Sequence, residues 1–109
     1  MRKLPKPITI FDSTIDRFGI FKYENGCRAV EFFTDENEPY ARLSVNIPAE
    51  AHQLHSGEFF LKNYSENAPI AQMLLNEGYI VLTGAIARSG YVECPVAKLS
   101  DVLENAKEF

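Results

Sequence analysis

Between residues 18 and 47 the chain alternates apolar and polar positions with the period of two that marks β-strands. Phe18-Gly19-Ile20-Phe21-Lys22-Tyr23 is rich in aromatic and β-branched residues. Glu24-Asn25-Gly26 follows it, and Asn-Gly is the strongest short hairpin signal. Cys27 to Phe33 then places Arg28, Val30 and Phe32 on one face and Cys27, Ala29, Glu31 and Phe33 on the other. After the polar turn Thr34–Pro39, the run Tyr40–Ile47 directs Ala41, Leu43, Val45 and Ile47 inward and Arg42, Ser44 and Asn46 outward. The pattern predicts a three-stranded antiparallel meander over 18–47, preceded by a short strand at Ile8-Thr9-Ile10-Phe11. Residues 1–7, with three cations and two prolines, read as a loose N-terminal arm.

Beyond Pro48 the period changes. Pro48–His55 suits either one short helix, with proline in its first turn and Gly57 as its stop, or an irregular connection. Glu58–Lys62 reads as a strand. The best-signalled helix lies near 68–77: Asn67 as its cap, Pro69 in the first turn, Ile70, Met73 and Leu74 on one face, and Gly78 just past the end. Tyr79–Ala87 is a continuous apolar run, expected as a central strand buried on both faces or bent at Gly84. Tyr91–Ala97 is its hairpin partner, with Pro95 at an edge or a bulge. Ser100 caps a short last helix from Asp101 to about Lys107. Strands come in runs instead of alternating with helices. The expected class is therefore α+β, a single domain over 1–109 with an antiparallel sheet of five or six strands and one or two short helices packed on it.

Composition narrows the function classes. With 109 residues the chain has room for one core without disulfides. Its 46% apolar and 24% charged residues are ordinary for a globular domain. No run approaches the roughly 18 apolar residues of a membrane span. The basic start is not followed by an apolar leader segment, because Asp12, Ser13, Asp16 and Arg17 intervene, so a cytoplasmic location is expected. Eleven basic against fifteen acidic residues give a net charge of −4, which disfavours direct binding to nucleic-acid phosphates.

Three segments carry a resemblance: Pro39–Pro48 with its Val45-Asn46-Ile47-Pro48 end, Gly57–Tyr64 with its Gly57-Glu58 start, and Thr83-Gly84 followed by Ser89–Val96. Over about residues 18–99 the order of these motifs resembles a family of small uncharacterised proteins from bacterial plasmids, phages and conjugative elements. The resemblance brings no catalytic residues. It implies a mobile-element accessory protein, a setting in which small proteins bind and block host-defence machinery, including CRISPR effectors.

Chemistry-bearing residues are few. His52 and His55 are the only histidines, and Cys27 and Cys94 the only cysteines. A Cys2His2 set suits tetrahedral zinc, and these four are the candidate Zn2+ ligands, although the usual CxxC pairing is missing. The alternative is two packed cysteines and two solvated loop histidines. One cysteine beside one histidine, oriented by Glu50 or Glu58, would instead make a small hydrolase. No phosphate-cradling glycine loop is present. Glu31, Asp35, Glu36 and Glu38 concentrate negative charge at and around one hairpin tip, with Asp35, Glu36 and Glu38 the candidates for meeting a protein partner with a basic surface, or simply solvated. Together these features predict a non-catalytic protein-binding module.

Overall fold

The computed structural model describes all 109 residues. The fold is α+β, with eight strands and two short helices. Strands β1 (Arg2–Ile10), β2 (Ser13–Lys22), β3 (Arg28–Thr34) and β4 (Pro39–Arg42) form one antiparallel sheet in that order. The second is also four-stranded and antiparallel, with order β5 (Ser44–Val45), β6 (Glu58–Leu61), β8 (Val92–Leu99), β7 (Ile80–Ser89). Helix α1 spans Ala68–Asn76 and α2 spans Asp101–Glu104, while Pro48–Gln53 is a 3-10 turn.

The expected single sheet of five or six strands is thus two sheets, and the reason lies in one residue. The run Tyr40–Ile47, which reads as one strand, divides at Leu43. Its N–H donates to Val30 O in the first sheet at 2.9 Å, and its carbonyl accepts from Lys62 N–H at the edge of the second at 2.7 Å. Ser44, expected to face solvent, is buried at this crossover. Its Oγ accepts from Val30 N–H at 3.0 Å and shares a 2.9 Å hydrogen bond with Tyr23 Oη. Asn67, expected to cap α1, makes no side-chain cap bond. It is buried instead, and Nδ2 donates to the carbonyls of Arg42 at 2.6 Å and Lys62 at 3.2 Å. Ser44 and Asn67 are the only buried polar residues, and both satisfy backbone groups that a strand loses on changing sheets.

The main core lies between the sheets and draws on both, with Phe18 and Phe32 stacked at 5.6 Å against Val30, Leu43, Phe59 and Leu61. Helix α1 adds Ile70, Ala71 and Leu74, with Met73 only partly buried, and α2 adds Leu103. The alternation at Phe59-Phe60 holds. Phe59 enters this core, whereas Phe60 joins Ile47, Ala87, Cys94 and Val96 in a smaller cluster on the other face of the second sheet, beneath Leu54. Ser100 caps α2 as expected, its Oγ accepting from Leu103 N–H at 3.3 Å, but the helix ends at Glu104 rather than near Lys107.

Two further expectations are corrected. Residues 1–7 are not a loose arm. They belong to β1, where Leu4 is buried while Pro5 and Pro7 stay exposed, as edge-strand prolines do. The apolar run after Tyr79 is not a central strand. It is β7, the outermost strand of its sheet, and every residue from Val81 to Ile86 is exposed. An apolar run is equally compatible with a buried centre or an uncovered edge. The bend does fall where expected: the register slips between Leu82 and Ile86, and Gly84 at φ +98° supplies the left-handed backbone. Pro95 lies opposite Ile86 at this slip, where a missing N–H costs nothing. No helix is long and apolar enough to cross a membrane.

Candidate functional site

Ile10 pairs with Ser13, so Phe11 and Asp12 alone turn β1 into β2. Phe11 sits at φ +52° and is 83% exposed. Positive φ at the first position of a two-residue hairpin turn is ordinarily filled by glycine or asparagine, because a Cβ there meets the following carbonyl. A bulky aromatic in that place costs stability, and here it gains almost no burial in return.

The β3–β4 turn is built differently. Thr34 Oγ1 accepts from the backbone N–H groups of Glu36 at 3.3 Å and Glu38 at 3.2 Å. Asn37 takes the left-handed position at φ +66°, which asparagine tolerates. This hydrogen-bonded turn exposes Asp35, Glu36 and Glu38. Because the first sheet runs in the order β1 to β4, both turns emerge at the same end, and Asp35 N–H donates to Thr14 O at 2.9 Å to tie one to the other. The result is an exposed aromatic ring in company with four exposed carboxylates, those of Asp12, Asp35, Glu36 and Glu38. None of the four is in an ion pair. The nearby Arg17 is held by Asp16 at 2.8 Å, and that hydrogen bond keeps the Asp16 carboxyl below its ordinary range.

A second feature is a cleft of about 660 Å³ between the β2–β3 turn and the segment before β6, lined by Phe21, Lys22, Cys27, Arg28, Leu54, His55 and Glu58 among others. Cys27 and His55 both line this cleft, Cys27 from the β2–β3 turn and His55 from the segment before β6. Glu58 Oε1 lies 3.3 Å from His55 Nδ1 and also accepts from the His55 N–H at 3.0 Å, as an orienting carboxylate would. The His55 side chain is nevertheless 86% exposed, and the Cys27 thiol has no hydrogen-bond partner.

The four candidate zinc ligands do not converge. Cys94 is buried in the smaller core, where desolvation raises its thiol pKa and disfavours the thiolate a metal needs. His52 is exposed on the 3-10 turn, which ends before His55. No group of three or more His, Cys, Asp or Glu side chains is arranged to hold a metal.

The acidic turn was visible as a hairpin tip. Phe11 was not, because it ends the strand-like run Ile8–Phe11. The Asp12-Ser13 pair that follows is the local cue for a turn there. In comparisons with known proteins, no protein-family model, curated protein or solved structure matches the chain.

Proposed function

We propose that the protein is a non-catalytic, cytoplasmic protein-binding module that docks a basic partner on the paired hairpin tips. The observation that carries this reading is Phe11, an exposed aromatic held in an unfavourable backbone region at the sheet end that also carries Asp12, Asp35, Glu36 and Glu38. Aromatic side chains anchor protein interfaces, and a rim of one charge sign steers association with a surface of the other. The resemblance to mobile-element proteins makes a host-defence nuclease such as a CRISPR effector the expected partner. The groove of such an enzyme must be basic to hold phosphates. The exposure of His55 and the unpartnered Cys27 thiol support this reading over a Cys/His hydrolase.

The test is capture from a bacterial lysate with the immobilised protein at low salt, comparing wild type, Phe11→Asn and a Glu36→Lys/Glu38→Lys variant. The expected result is one partner held by wild type, released as salt rises, and bound at least about tenfold more weakly by both variants. Capture that is indifferent to both variants and to salt would refute the assignment of the tips.

A further inference from the structure

The four sheet edges are not protected equally. Edge strands invite pairing with another chain, and natural proteins blunt them with lysine, proline, short length or a cover. Strand β1 carries Lys3, Pro5, Lys6 and Pro7, and its start is bridged by the pair Arg2 and Glu108. Strand β4 has four residues and begins with Pro39, and β5 has two. Strand β7 has ten, with neither lysine nor proline. Helix α1 reaches its beginning near Ile80, but from Val81 to Ile86 nothing covers it.

Two of the exposed side chains, Leu82 and Ile86, are large, apolar and placed symmetrically about Gly84. Leu82 lies opposite Ala97, and Ile86 opposite Pro95, so both project on the face that carries Ala97 into the main core. They are 47% and 54% exposed. Both stand two residues from Gly84. Thr83 Oγ1 donates to Val96 O at 3.2 Å and accepts from Ala85 N–H at 3.3 Å, which fastens the bulge on its inner side. Around Gly84 itself there is open space where a side chain would be.

We infer that β7 is a self-association edge, on which a second copy of this chain docks antiparallel about a twofold axis at Gly84. An isologous contact requires that if residue i meets j, then j meets i. About Gly84, Leu82 meets Ile86 of the second copy and Ile86 meets its Leu82, so these two apolar positions match each other. The charge pattern selects the same occupant. The chain carries −4 overall, yet between Tyr79 and Gly90 its one charged side chain is Arg88, 3.7 Å from Glu93 of the adjoining strand. A neutral edge offers a charged partner nothing, and it lets two acidic copies meet without like charges in contact. Gly84, lacking a side chain, permits close backbone approach at the axis. The bulge interrupts the ladder there, so the dimer is weak and concentration-dependent.

This inference is independent of the hairpin-tip reading, and the two are separated in one experiment. Sedimentation equilibrium of the full chain from about 10 µM to about 1 mM, a range suited to weak self-association, compares wild type with Leu82→Lys, Ile86→Lys and Glu36→Lys. Both β7 positions are exposed, and circular dichroism verifies that each variant is folded. The expected result is a wild-type mass rising with concentration from 12.3 kDa toward twice that value. Glu36→Lys should match it, while each β7 variant weakens dimerisation at least tenfold. A wild type that is monomeric throughout, or a dimer unchanged by both β7 substitutions, would overturn the proposal.

Discussion

Replacing Leu74 with alanine is expected to cost about 2–5 kcal/mol of folding stability, the range for truncating a fully buried leucine whose surroundings cannot collapse. Leu74 is 0% exposed in the main core. Helix α1 has nine residues, too short to persist on propensity alone, so its stability comes from the apolar stripe Ile70, Ala71 and Leu74. That stripe sets the helix against β1 of one sheet and β7 of the other. The Leu74 carbonyl also accepts from Tyr79 N–H at 2.9 Å, which turns the chain toward β7 past Gly78 at φ +74°. A cavity at Leu74 therefore loosens the junction of both sheets with the helix. Urea unfolding followed by far-UV circular dichroism measures the change, and an unmoved midpoint would place α1 outside the core.

Asn67→Ala is expected to destabilise the fold by about 1–3 kcal/mol, the cost of leaving a buried acceptor without its donor. The side chain ties Arg42 O, the last residue of β4, to Lys62 O just beyond β6. Alanine makes neither bond, and water has little access to a site where the residue is 3% exposed. The same denaturation measurement applies. Were Asn67 acting as a helix cap, serine would restore most of the loss. In the present structure serine cannot reach both carbonyls, so Asn67→Ser should remain close to the alanine variant.

The legible parts of the fold are those governed by local rules. The Asn25-Gly26 turn, with Gly26 at φ +85°, follows from turn chemistry, and the β2–β3 alternation follows from the pleat. Helix α1, its stop at Gly78 and the Ser100 cap are equally local. The passage between sheets at Leu43 was hidden because a strand that changes partners keeps the same apolar and polar spacing. Strand order was hidden for a similar reason: nothing within Tyr79–Ala87 tells whether a neighbour lies on one side or two. The candidate site divides along the same line. Asp35, Glu36 and Glu38 announce a solvated tip, but that they share one sheet end with Phe11 depends on the β1–β4 order and on the Asp35–Thr14 hydrogen bond. The gathering of Cys27, His55 and Glu58 at one cleft was half visible. In a meander over 18–47, Cys27 starts the strand whose partner ends near Pro48, where the histidine segment begins, whereas the burial of Cys94 depends on the position of β8.

The claim that Phe11 is present for a partner and not for the fold has a direct measurement in the equilibrium unfolding of Phe11→Asn. Asparagine accepts the left-handed backbone at φ +52°, a conformation that costs a residue with an ordinary Cβ roughly 1–2 kcal/mol. Phe11 is 83% exposed, so little burial is lost with the ring. Phe11→Asn is expected to be more stable than wild type, by about 0.5–1 kcal/mol, since asparagine relieves part of that strain. A variant less stable than wild type would show that the ring serves the fold and not a partner.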